Sequence, residues 1–104
     1  MAIQISVDTL SNNITVAPTL ANYNRGDIVQ WEAVGASSLV LNFTKGTGTP
    51  FDEPTITGTA GAGSATAEKP ILAAAASASY HYSLTVTIGG QNYTIPGCPE
   101  IVVL

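Results

Sequence analysis

The stretch Tyr80-His81-Tyr82-Ser83-Leu84-Thr85-Val86-Thr87 alternates large apolar or aromatic side chains with smaller or polar ones at every second position. A period of two sends the two sets to opposite faces of an extended chain, which a helix with its period of 3.6 cannot do. With its β-branched and aromatic content, this is the strongest strand signal in the chain. The same alternation recurs elsewhere. Ile3, Ile5 and Val7 mark a first strand, followed by the turn-rich segment 8–12. Ile14 and Val16 mark a second, ended by Pro18, which cannot donate to a ladder. Val29, Trp31 and Ala33 alternate with Gln30 and Glu32 in the clearest half-buried strand, and Leu39, Leu41 and Phe43 give a fourth. Gly89-Gly90 reads as a hairpin turn leading into a return strand over Gln91 to Ile95, and a terminal strand follows Pro96-Gly97 at Ile101 to Leu104.

Residues 46–70 are dense in Gly, Pro and small side chains, and read as loops around one short strand anchored by Phe51 and Ile56. Within them, the low-complexity segment 58–67 reads as a mobile surface loop. Ala73–Ala76 follows Pro70 and is too short to nucleate a helix, so a strand or bend is expected there. About 7–9 short strands with no amphipathic helix predict an all-β fold, an antiparallel Greek-key β-sandwich. With 104 residues and 45% apolar content, the chain is expected to form a single sandwich domain over residues 1–104.

The inventory of charge excludes several partners. Three basic residues (Arg25, Lys45, Lys69) against seven acidic ones give a formal net charge of −4, and no two basic residues are near neighbours. Nucleic-acid binding depends on clustered Lys and Arg that release counterions, so it is not expected. The longest purely apolar run, Ile71 to Ala76, is far short of the ~20 residues of a membrane-spanning helix. The N-terminal MAIQISVDTL has neither the basic start nor the apolar core of a secretory signal, so the expected location is cytoplasmic, or secreted if a signal has been removed. The lone Cys98 excludes an internal disulfide and leaves a buried thiol, a reactive thiol or an interchain bridge.

The order VAP, RGDIVQW, a Phe-containing strand, a Pro/Gly-rich middle, YHYSLTV and a terminal IVV resembles the cupredoxin-like β-sandwich. In that family Gly-Asp-x-Val-x-Trp commonly opens a central strand and Tyr-x-Tyr-x-x-x-Val fills a late one. The residues that carry the likeness are Gly26, Asp27, Val29, Trp31, Tyr80 and Tyr82. Immunoglobulin-like sandwiches share the strand pattern, but the Cys…Trp…Cys signature of true immunoglobulin domains is missing. The resemblance would imply a blue-copper site built from two His, one Cys and an axial Met. This chain has one His, His81, and its only Met is Met1. His81 and Cys98 are the sole metal candidates, no set of ligands can be assembled in one chain, and no cofactor is expected.

The remaining motifs have plain readings. Asp52 and Glu53 are adjacent on one loop, a poor arrangement for two carboxylates that must flank a glycosidic bond, and with Glu68 or Asp27 they form no ligand-dense calcium loop. Gly58 to Gly63 lacks the Lys-Ser/Thr ending and helix of a phosphate loop. No nucleophile motif accompanies His81 or Cys98, so no enzyme is expected. Arg25-Gly26-Asp27 spells an adhesion tripeptide, yet two residues later Val29 begins the buried alternation, so it reads as a turn entering a strand. The expected role is a non-enzymatic structural or interaction module with protein partners, among them copies of itself. The alternatives are a copper-binding electron carrier or metallochaperone, and a carbohydrate- or peptide-binding domain that uses the loops around Phe51.

Overall fold

The structure is a computed structural model and describes residues 3–18, 20–43, 48–61, 63–95 and 99–104. Twelve strands are formed among them and no helix. They are β1 (Ile3–Asp8), β2 (Asn13–Ala17), β3 (Leu20–Tyr23), β4 (Ile28–Val34), β5 (Ser38–Asn42) and β6 (Thr55–Thr57), then β7 (Thr59–Gly61), β8 (Ser64–Pro70), β9 (Ala78–His81), β10 (Ser83–Ile88), β11 (Gln91–Ile95) and β12 (Glu100–Val103). No helix among the described residues is long and apolar enough to cross a membrane.

One layer is the five-stranded sheet β2-β1-β4-β8-β7, with β4 at its centre. The other is built from two smaller sheets, β11-β10-β5-β6 and β3-β12-β9. These are joined at Tyr82, the single residue between β9 and β10, whose N–H donates to the Pro99 carbonyl at 3.0 Å. The β9–Tyr82–β10 run thus pairs antiparallel first with β12 and then with β11. The alternating faces of both layers bury one hydrophobic cluster. Ile3, Ile5, Val29, Trp31 and Ala33 come from the first layer, and Leu39, Leu41, Leu84, Val86 and Ile101 from the second. The expected all-β sandwich is what forms.

Two ladders, β1–β4 and β3–β12, are parallel, which side-chain alternation alone does not distinguish from antiparallel pairing. In segment 46–70 the one short strand expected around Ile56 is β6, but a larger correction is required for the remainder, expected to be loops with 58–67 a surface loop. Instead that remainder forms β7 and β8, and β8 pairs with β4 through seven residue pairs from Ile28↔Pro70 to Val34↔Ser64. The alternation is present, with Ala65 and Ala67 buried behind exposed Thr66 and Glu68, but alanine is a small apolar residue of low β-propensity. Strand β3 lies after Pro18, where no strand was expected. Ala73–Ala76 does bend, with Ala75 N–H donating to the Leu72 carbonyl at 3.1 Å.

Each side of the sandwich is closed by one run of chain that changes layers. On one side β2 pairs with β1 and, past Pro18, β3 pairs with β12. On the other, β6 pairs with β5 and, past the single residue Gly58, β7 pairs with β8. The crossing at Gly58 is tight. Its N–H donates to the Leu39 carbonyl at 2.6 Å, and a Cβ at this position would lie 3.0 Å from both Leu39 Cβ and the Thr66 carbonyl oxygen. Neither is the free end of a flexible side chain, so Gly58→Ala is expected to cost about 1–3 kcal/mol of stability. Urea denaturation monitored by circular dichroism checks this, and an unchanged midpoint would show that the crossing has slack.

Candidate functional site

The Arg25-Gly26-Asp27 tripeptide is exposed, and its groups are bonded within the chain. Gly26 has φ +86°, the left-handed conformation that a glycine adopts without steric cost. Asp27 Oδ2 accepts from the Asn24 N–H at 2.9 Å, a local bond at the strand entrance. Gly26 N–H reaches the Ile71 carbonyl and Asp27 C=O accepts from Ile71 N–H, both at 2.9 Å. The Arg25 guanidinium donates to the Ala75 carbonyl and to Ser77 Oγ. The turn therefore clamps segment 71–77 onto the end of β4.

Just beyond, Val29 and Trp31 enter the core, where Trp31 is edge-on to Phe43, Phe51 and Tyr82. Trp31 Nε1–H donates to the Tyr82 hydroxyl at 3.3 Å, and burial pushes the Tyr82 phenol up to about 12 against the opposing effect of that bond. Tyr80 is buried as well, its hydroxyl donating to the Ala76 carbonyl at 2.7 Å. The six residues that carry the sequence resemblance thus serve the turn and the core. Phe51 is buried in the same aromatic cluster and offers no exposed ring to a ligand.

His81 is half-exposed on β9, with Nε2 3.1 Å from Glu100 Oε2 on the paired strand β12. Cys98 lies outside the described residues. Among those described, no three or more His, Cys, Asp and Glu side chains are placed to hold one metal ion. Asp52 and Glu53 are exposed and face Lys69, whose Nζ is 2.9 Å from Asp52 Oδ1 and 3.7 Å from Glu53 Oε1. The Lys69 hydrogen bond holds the Asp52 carboxyl below its usual range, and the same bond raises the lysine.

Two surface features take their layout from the strand register. The first is the outer face of β6-β5-β10-β11. Register puts Thr57, Val40, Thr85 and Thr94 side by side in one row, with Thr55, Asn42 and Ser83 on one side of it and Ser38, Thr87 and Asn92 on the other. The Thr85 and Thr94 hydroxyls are 3.2 Å apart, Thr87 donates to Asn92 Oδ1 at 2.8 Å, and Thr55 donates to Asn42 Oδ1 at 3.0 Å. These ten positions carry no charge, whereas the outward side of β1, β4 and β8 carries Asp8, Glu32 and Glu68. The threonine alternation in SLTVTI was a visible hint, but rows across strands appear only once the register is known.

The second is a groove of about 600 Å³ on the side closed by Gly58. The buried Trp31, Ile56 and Ala67 lie at its floor, and Gln30, Glu32, Glu53, Glu68 and Lys69 supply its polar lining. Gln30 Nε2 donates to Glu68 Oε1 at 2.6 Å, tying two of these side chains across the β4–β8 ladder. No known protein-family model matches the chain, and no characterised protein matches it by sequence. What the two features can do is therefore argued from their own chemistry.

Proposed function

We propose that the protein is a non-enzymatic interaction module, a cupredoxin-like sandwich without a copper centre, that associates weakly with copies of itself through the outer face of β6-β5-β10-β11. The observation that carries this is the absence of charge on that face in a chain whose formal net charge is −4. Two such faces meeting bring no like charges together. Their hydroxyls and amides both donate and accept, so a face can pair with its own copy. Four strands at ~4.8 Å spacing and about five residues at ~3.4 Å rise give a patch of roughly 300 Å². A stable complex buries about 800 Å² per partner, so the association is weak and concentration-dependent.

The cupredoxin-like part of the reading is supported by the position of its motif. Gly26 to Trp31 leads into β4, the middle strand of its layer, and Tyr80, Tyr82 and Val86 run along the β9–β10 segment of the other. Sedimentation equilibrium on the wild-type chain tests the association, with reversible self-association expected on approaching about 1 mM, the range suited to a small interface. Thr85→Lys and Thr94→Lys should each reduce it by placing like charges opposite one another. Thr15→Lys, on the exposed surface of β2, should leave it unchanged. A wild-type chain that stays monomeric at that concentration overturns the reading.

A further inference from the structure

We infer that the groove between β6 and β8 is a docking slot for an extended, basic segment of another protein, which binds by adding a strand. This is independent of the self-association face. The argument begins with which backbone groups point into the groove. The β4–β8 ladder is bracketed by two bonds, Gly35 N–H to the Gly63 carbonyl and Ile71 N–H to the Asp27 carbonyl. In an antiparallel ladder bonded pairs alternate, so Ala65, Ala67 and Lys69 direct their backbone groups to β4. Ser64, Thr66, Glu68 and Pro70 direct theirs to the opposite side. Strand β7 covers Ser64 and Thr66 through its pairs with Gly61 and Thr59, then ends as the chain crosses at Gly58. The Glu68 N–H and C=O are left facing the groove, with no ladder partner on that side among the described residues.

The same parity applies to β6. Gly58 N–H to the Leu39 carbonyl and Phe43 N–H to the Pro54 carbonyl bracket the β5–β6 ladder. Ile56 therefore faces β5 with its backbone, and Thr55 and Thr57 direct theirs away from β5, to the groove side. Among the described residues no strand pairs with these two edges, one from each layer, and the donors and acceptors of both face one groove. An extended segment lying there can bond to either edge through its main chain while alternate side chains meet the carboxylates that line the groove. About three residues of each edge are open, so the slot fits a short segment of ~10 Å.

Charge selects the occupant. Glu32, Glu53 and Glu68 line the groove against the single ammonium of Lys69, which is already paired with Asp52 and Glu53. Lys69 follows Ala65 and Ala67 in the inward phase of β8, and an inward charge on an edge strand resists indiscriminate strand pairing. A segment bearing its own Lys or Arg can take over the carboxylates that Lys69 engages. This chain has only three basic residues, and the Arg25 guanidinium is bonded to Ala75 and Ser77, so another copy is a poor donor.

The test is a titration of the isotope-labelled chain with a capped hexapeptide alternating valine and lysine, followed by amide NMR shifts. Saturable shifts are expected at Thr55, Thr57 and Glu68. The matching valine–glutamate peptide should bind more than about tenfold more weakly, because it sets like charges against the groove. Glu68→Gln should weaken the lysine peptide and flatten its salt dependence. A lysine peptide N-methylated at alternate residues keeps its charge and side chains but loses main-chain donors along one edge, and should also lose most of its binding. This arm needs no variant of the protein. Shifts confined to the outer face of β10 and β11, equal binding of the glutamate peptide, or undiminished binding of the N-methylated peptide would each overturn the inference.

Discussion

Trp31→Ala is expected to lower the free energy of unfolding by about 3–5 kcal/mol, the range for removing a large buried aromatic side chain. Trp31 is 1% exposed at the centre of the first layer. Its ring lies 5.7 Å from Phe51, 6.1 Å from Tyr82 and 6.5 Å from Phe43, all edge-on, and each such contact adds about 0.5–1.5 kcal/mol beyond the area buried. Those partners come from the loop before β6, the β9–β10 junction and the residue after β5, so one substitution loosens both layers. A domain of this size has only about 5–15 kcal/mol in total, and the variant is expected to be partly unfolded at moderate temperature. Trp31→Phe keeps a ring and loses the N–H bond to Tyr82, so it should fall between the two. Because Trp31 is the only tryptophan, circular dichroism in urea is the suitable probe. A loss below about 1 kcal/mol would mean that the aromatic cluster does not organise the core.

How far the sequence discloses this arrangement depends on the size of the inward residue. In β4 the burial pattern follows Val29, Trp31 and Ala33 as the alternation predicts, because bulky apolar groups flanked by Gln30 and Glu32 leave one choice of face. In β8 the buried inward positions are Ala65 and Ala67, too small to stand out from the Gly/Ala/Ser/Thr background, so a seven-residue strand looks like a loop in sequence. The Asp27 side of the tripeptide was legible because its bond to Asn24 is local. The Arg25 side was not, since its partners Ala75 and Ser77 lie some fifty residues away. The groove was hidden for a related reason. It arises from the parity of two ladders and from the crossing at Gly58, and neither leaves a mark in the order of side-chain types.

Raising the pH from 10 to 12 is expected to remove about 2 kcal/mol of stability through Tyr82 alone, since one pKa unit is worth ~1.36 kcal/mol. A tyrosine in the unfolded chain ionises near 10, whereas burial pushes the folded Tyr82 up to about 12. Below pH 10 both states keep the proton, and this contribution is fully present. Between the two values only the unfolded chain releases it, so unfolding is favoured by an amount that grows with pH and levels off above the folded value. Burial also raises Tyr23, which adds a smaller loss in the same direction. Tyr82→Phe separates the two effects of the hydroxyl. At neutral pH the variant should be less stable by about 1–3 kcal/mol, because Trp31 Nε1–H loses its buried acceptor. As pH rises the wild type alone pays the cost of keeping Tyr82 neutral, so the two stability curves should converge by about pH 12. Chemical denaturation at a series of pH values reads both curves. Parallel curves would show that Tyr82 ionises as an exposed phenol does, and that the junction between β9 and β10 admits water.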